Sequence, residues 1–526
     1  MRQLRKHPAA KILFVLSGLA VTTLLSLRGT AAQRGIGLAC SLAALGVMAF
    51  RSGFLDRAFS GLNRRTGAVS AGLSLLAGYR FAVDFHRVFA AKPAAAALAG
   101  IALPAVFVFT HFFTVRAFSF AKTWFSRADR AEKAFLAVCA PLFCAVLAVT
   151  FSVTGVFYAP RPGGSAVYDV VYTTDSSVLM DTNTYQSVNA KENDIRHPLF
   201  GLFAMPFGLA AGAVSKLLFF VPNAYPIVIG MIQVVPLLCG FVMLGRLLRL
   251  TGLFKILYLA LSAASFPALL YTLAMERYTF TFFWLVLLIY LYAEKSGGRD
   301  WAFIAAAGAT LTGGVLFPLL TDAKTLRGKA RETGRCALRF FAVAALFGQL
   351  PLFLNAVPSL RGLARFTGVT LPFSGRLLQF LGFIAACFAA PRAGLDTGTF
   401  WYPSWQAEPS APANVFGAVM LSAAALGFIL NRKERFARIC AGWAAFSFII
   451  LCIVGWGTAE NGLVLYTLYF SWAYLSLVFM FAEKALARWK PVRGAVYAAA
   501  AAVMLGVNLP GLYQIIRFGV QYYPAR

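Results

Sequence analysis

Residues 134–157 read AFLAVCAPLFCAVLAVTFSVTGVF. No charged side chain interrupts the run, and its length is what a bilayer core of about 30 Å demands of a helix rising about 1.5 Å per residue. Its apolar residues are continuous rather than alternating, which selects a helix over a barrel strand. In lipid only these two structures satisfy their own backbone polar groups. The two flanks of the run differ in character. Before it stand Arg116, Lys122, Arg127, Arg130 and Lys133, and after it comes a polar segment from Tyr158 to Pro198. Basic loops stay in the cytoplasm, so this helix leaves the cytoplasm and the polar segment lies outside it.

The same reading extends along the chain. Of its 526 residues 60% are hydrophobic, and the mean hydropathy is +0.72. That is too apolar for a soluble protein of ordinary composition. The net charge is +29, from 48 Lys and Arg against 19 Asp and Glu. These basic residues gather in short loops between apolar runs, which is the signature of topology. No basic face with interleaved aromatics is present, so nucleic acid is not an expected partner. Eight cysteines, Cys40, Cys139, Cys144, Cys239, Cys336, Cys387, Cys440 and Cys452, form no CxxC pair and read as core residues. The N-terminus, MRQLRKHPAAK, lacks a cleavage site and reads as the cytoplasmic end of a first span.

Spans are expected at about 12–28, 34–50, 67–83, 94–114, 134–157, 225–245, 278–294, 337–356, 413–431, 439–456, 463–482 and 493–509. Pro236 and Pro351 fall inside these spans and Pro267 in the further apolar run before 278–294, and all three are candidates for kinks. Two apolar stretches conflict with the charge rule. PLFGLFAMPFGLAAGAVSKLLFF (198–220) precedes a span ending in Arg246, Arg249 and Lys255, so a full crossing would put those cations outside. It is expected to be a partly embedded helix. WAFIAAAGATLTGGVLFPLL (301–320) lies between two loops that both belong inside, so a break at Thr312-Gly313-Gly314 is expected. The fold class is therefore all-α and polytopic, with about thirteen spans plus these two irregular pieces. Residues 1–133 form a four-helix membrane region of unassigned role. Residues 134–526 form the core, with its extracytoplasmic loop at 158–197. The expected location is a bacterial-type inner membrane.

Acidic residues concentrate in YDVVYTTDSSVLMDTNTYQSVNAKENDIRHPLF (168–200), which holds Asp169, Asp175, Asp181, Glu192 and Asp194, followed by Arg196 and His197. The plainest role for such acids is helix capping, which suits Asp181 and Asp194. As a cluster at the membrane edge, they would meet the head group of a lipid-linked substrate.

Asp175, Asp181, Tyr185 and the run Arg196-His197-Pro198-Leu199-Phe200 resemble the acidic loop and following helix of the GT-C superfamily of membrane glycosyltransferases. That superfamily includes protein O-mannosyltransferases and the aminoarabinose transferases of lipid A. The non-crossing helix, the span ending at Arg246 and the Gly-broken helix also match, so the resemblance covers about 134–526. It departs in the four extra spans that precede the loop and in the lack of an Asp-Glu pair. The resemblance implies a sugar donor on a polyprenyl phosphate and a glycan, lipid or protein acceptor in contact with membrane lipid. It also implies a loop carboxylate as general base, with Asp175 the first candidate and Asp181 the second. Arg196 or His197 would contact the phosphate or sugar, and Tyr185 would line the substrate site.

Outside the loop, Glu276 in AMERYTF and Glu460 in GWGTAENG sit at outer ends of spans and are candidate substrate contacts. The aromatic stretch LDTGTFWYPSWQAEP (395–409), with Asp396, Trp401 and Trp405, is placed to cover the site. No His, Cys, Asp and Glu spacing specifies a metal. A divalent cation shared by loop acids and donor phosphate would suit the chemistry, but nothing in the sequence supports one. Two other functions compete: a transporter or flippase of a lipid-linked or polar substrate, and an O-antigen ligase or polymerase. The first calls for intramembrane charges and internal repeats, and the second for a large loop late in the chain. Neither feature is evident.

Overall fold

A computed structural model of the chain describes residues 8–27, 29–60, 62–188, 194–368, 370–398, 401–459 and 461–525. Almost all of its regular structure is helical, as the continuous apolar runs require, with one two-stranded hairpin. Among the described residues ten helices are long and apolar enough to cross a membrane, or eleven if the bent pair Gly252–Ala264 and Phe266–Leu273 is one span. The protein is thus a multi-pass α-helical membrane protein. The bend of that pair is 57° and falls at Ser265, just before Pro267. A proline cannot donate to the helical ladder, so the break sits where it is cheapest.

Three stretches expected as spans fall outside this set, and one joins it. Arg64–Asp84 is helical over 21 residues but too rich in glycine, serine and arginine to pass as apolar. Tyr278–Ala293 is apolar but only 16 residues long. The stretch 337–356 does not form one helix. A helix from Leu326 to Leu346 ends before Gly348, which has φ +68°, and short helices follow. Phe200–Leu217 is one continuous helix, long and apolar enough to cross.

The chain divides into two compact units, each built from several segments. The first comprises 1–128, 183–210 and 330–359. Its helices Pro8–Leu25 and Pro93–Ser126 lock together through Ser17. The Ser17 hydroxyl donates to the Ile101 carbonyl at 2.6 Å and accepts from the Ala105 amide at 2.9 Å. It therefore takes the place of the bond that those two groups would make along their own helix, next to Pro104. Phe14, Phe54, Phe109 and Phe112 pack around this point, with ring centroids 4.8–5.9 Å apart.

The second unit comprises 129–182, 211–329 and 360–526. Ala411–Asn431 approaches its neighbours closely enough that a Cβ on Gly417 would lie 2.0 Å from the Leu381 carbonyl oxygen, and one on Gly427 2.0 Å from that of Leu477. No side chain fits at either position. At one end, buried Glu132 accepts from Arg246 at 2.5 and 3.0 Å and from Lys255 at 2.9 Å, while Lys255 also donates to Asp129 at 2.5 Å. Three helices are tied by two acids and two bases, so the buried charges balance. Burial alone would raise the Asp129 carboxyl, but the Lys255 ammonium holds it below its ordinary value.

The expected broken helix is observed. Arg299–Ala309 ends where Thr310 turns extended (φ −149°, ψ 124°), and a 3-10 segment, Leu311–Leu316, follows. The break lies one to two residues before the predicted Thr312-Gly313-Gly314.

Candidate functional site

At one end of the second unit, three separate loops interlock around Asp175. The first is 168–175. Asp169, Tyr172 and Thr173 there have φ of 58°, 49° and 63°, three of the eight non-glycine residues at positive φ among those described. A β-branched residue at such a φ is a genuine outlier, costing of order 1–3 kcal/mol, and such strain clusters at functional sites. The second loop is the hairpin Ala393–Asp396 with Ser404–Ala407, paired antiparallel. Trp405 exchanges backbone bonds with the first loop, its amide donating to Val170 at 2.7 Å and its carbonyl accepting from Tyr172 at 3.0 Å. Tyr402 donates its hydroxyl to the Tyr168 carbonyl at 2.6 Å, and Gln406 donates to that of Asp169. The third loop is the turn after Trp456, where the Thr173 hydroxyl faces the Gly462 carbonyl at 3.4 Å and Asn461 donates to Ala407 at 2.8 Å.

Against this framework sits the link Ala274–Arg277, between two helices of the same unit. Gln233, the one amide within the apolar helix Ala224–Leu247, donates to the carbonyls of Tyr271 at 2.8 Å and Ala274 at 3.0 Å. The Met275 amide donates to the Phe157 carbonyl at 3.0 Å, tying the link to the chain leaving helix Arg130–Val153. The link presents Glu276, only 2% exposed. One Glu276 carboxylate oxygen accepts the backbone N–H of Asp175, and the other accepts that of Arg277 at 3.0 Å. Burial, with the negative charge of Asp175 adding to it, pushes the Glu276 carboxyl up to about 8, against the pull of Arg277. Two carboxylates thus meet, and the buried one holds the other's backbone.

Arg277 is 3% exposed. Its Nε is buried with no hydrogen-bond partner, and its guanidinium forms no ion pair among the described residues. A buried cation in this state retains capacity for an anion. Tyrosines surround the site. The Tyr271 hydroxyl donates to the Leu465 carbonyl and lies within electrostatic reach of Glu276, Asp175 and Tyr466. The Tyr278 ring stands 5.6 Å from Tyr466 and 6.1 Å from Tyr469. Tyr469 in turn reaches Thr312, in the broken helix, with 3.2 Å between hydroxyls. The broken helix and the acidic loop therefore belong to one neighbourhood.

The other residues singled out from sequence have other partners. Asp181 ends the short helix Ser176–Asp181 and is ion-paired with Arg161. In the first unit, Tyr185 is buried with its ring 5.6 Å from Phe200. There too Arg196 donates to Asp194 at 2.7 Å, and buried His197 follows it. Asp194 also accepts the Arg196 amide at 2.7 Å, so it closes the turn 194–197 ahead of helix Phe200–Leu217, where a cap on the helix itself was expected. Glu460 and Glu192 lie outside the described residues. Among the described residues no three His, Cys, Asp or Glu side chains are grouped to hold a metal ion. Gln233, Tyr271, Tyr466 and Tyr469 were not singled out from sequence. Gln233 had a signal, as a lone amide in an apolar span, but the tyrosines look like any interfacial aromatics.

No protein-family model matches the chain, and no curated protein or solved structure matches it.

Proposed function

We propose that the protein is a membrane glycosyltransferase that moves a sugar from a polyprenyl-phosphate donor to an acceptor hydroxyl on the extracytoplasmic face. The supporting observation is the Asp175–Glu276–Arg277 constellation, which puts a held carboxylate and a buried, anion-ready guanidinium at one helix link. The acceptor oxygen attacks the anomeric carbon, and the bond from that carbon to the donor phosphate oxygen breaks. Asp175 takes the hydroxyl proton as general base. The lipid phosphate leaves with the bonding pair and the developing charge, which Arg277 is placed to stabilise. Arg277 is the phosphate contact that this link adds, whereas Arg196 and His197, which the loop motif implies, belong to the first unit. The ion pair of Asp181 with Arg161 makes it the weaker candidate base. Tyr271, Tyr278, Tyr466 and Tyr469 offer ring faces and hydroxyls of the kind that bind sugars. Glu276 and Arg277 stand in a helix link rather than midway along a span, which favours the enzyme over a transporter.

The test uses the full-length protein in liposomes with polyprenyl-phosphate hexoses and a membrane lipid extract as acceptor source. Release of free polyprenyl phosphate and sugar incorporation are followed together. Asp175→Asn is expected to lower both by about 10²–10⁴-fold, the usual worth of a general base, while Asp181→Asn retains activity. Full activity in both variants, at equal expression, overturns the proposal.

A further inference from the structure

The helix Leu326–Leu346 carries a feature that a sugar-transfer site does not use. Arg327, Arg331 and Arg335 are spaced by four, so they stack on one face in successive turns about 6 Å apart, and all three are exposed. Like charges at this spacing repel, and none of the three forms an ion pair among the described residues. The same face continues through Leu338, 72% exposed, and Phe341, 42% exposed. The opposite face buries Cys336, Phe340 and Ala344. One outward stripe therefore changes from basic to apolar along the helix axis. This helix is 21 residues long but not apolar enough to count as a span.

We propose that this stripe is a docking face for anionic phospholipid, with Arg327, Arg331 and Arg335 among the head groups and Leu338 and Phe341 in the acyl region. The gradient along the stripe matches the gradient of a bilayer leaflet from charged surface to hydrocarbon. Lipid phosphates also supply the counter-charge that the arginine ladder lacks. A nucleic acid or an acidic protein would satisfy the arginines but leave the apolar continuation in water.

The experiment takes full-length protein in detergent micelles with equal amounts of phosphatidylglycerol and phosphatidylcholine, and counts retained lipids by native mass spectrometry. Wild type is expected to retain phosphatidylglycerol preferentially, and less so in 0.5 M salt. The variant Arg327→Gln/Arg331→Gln/Arg335→Gln should lose about tenfold or more of that preference, since each basic residue near an anionic surface contributes several-fold. The control Arg432→Gln/Lys433→Gln/Arg438→Gln, on another exposed basic stretch, should keep it. Removing like charges relieves repulsion in the helix, so the triple variant should melt no lower than wild type. If it does not fold, the single reversal Arg331→Glu must show a several-fold loss instead. The proposal is overturned if the stripe variant retains phosphatidylglycerol like wild type, or if the control loses as much. It is also overturned if the stripe variant loses affinity only for a short DNA duplex.

Discussion

Glu276 offers the sharpest test of the site, because its carboxylate closes two backbone amides at once. Replacing it by alanine leaves the Asp175 and Arg277 N–H groups in a buried setting without their acceptor. A buried N–H that loses its acceptor costs about 1–3 kcal/mol, and the Asp175 amide is such a group. Opening of the loop 169–175 should therefore become about 10–100-fold more frequent. The readout is hydrogen–deuterium exchange of peptides spanning 168–180 in the full-length protein. Glu276→Gln keeps one carbonyl acceptor and should show an intermediate loss. Peptides from helix Ala411–Asn431 should be unchanged, because that helix does not contact the link through Glu276. If Glu276→Ala exchanges like wild type at Asp175 while the protein stays folded, Glu276 does not hold this loop. The helix link Ala274–Arg277 then does not organise Asp175.

Three further outcomes follow from the same physics. The Glu276 carboxyl is raised to about 8 in the fold, above an unfolded value near 4.3; its contribution is thus fully present below about 4.3 and lost as pH rises through about 8. Wild type should accordingly melt lower at pH 9 than at pH 6 relative to Glu276→Gln, and parallel curves for the two proteins refute this. Glu132→Gln removes the anion facing both Arg246 and Lys255, and should cost about 3–5 kcal/mol, seen as lost monodisperse protein; unchanged melting would show that the quartet is not needed. Ser17→Ala lets the Ala105 amide and Ile101 carbonyl re-pair along their own helix and should cost about 1 kcal/mol, whereas Ser17→Val wedges them apart without partners and should cost about 2–4 kcal/mol by melting in detergent; equal losses would rule out the inserted hydroxyl.

Most of the helices were legible in the sequence, because a bilayer imposes length and apolarity on each one independently of its neighbours. Position mattered where local chemistry was marked, as at Ser265 before Pro267 and near Gly313-Gly314. The helix Leu326–Leu346 stands where the sequence predicts a basic loop followed by a span. Its Arg, Lys, Ala and Glu residues are good helix formers, so the helix starts within the basic stretch and is used up before it can cross.

The site was legible only in its parts. Asp175 and Glu276 each stood out as an acid in an apolar chain, yet they lie 101 residues apart, and hydropathy says nothing about which helix ends meet. Nor could spacing decide between Asp175 and Asp181. The structure separates them by backbone: Tyr172 and Thr173 take left-handed conformations that turn the chain so the Asp175 amide meets Glu276, while Asp181 closes a helix and meets Arg161. Glycine or asparagine at 172 and 173 would have announced that turn, whereas tyrosine and threonine conceal it. The strain is tolerated because three loops and a buried carboxylate over-determine the conformation. Relieving it with glycine at 173 should therefore cost little stability but loosen Asp175, which identifies the cost of this backbone as one of placement rather than of folding.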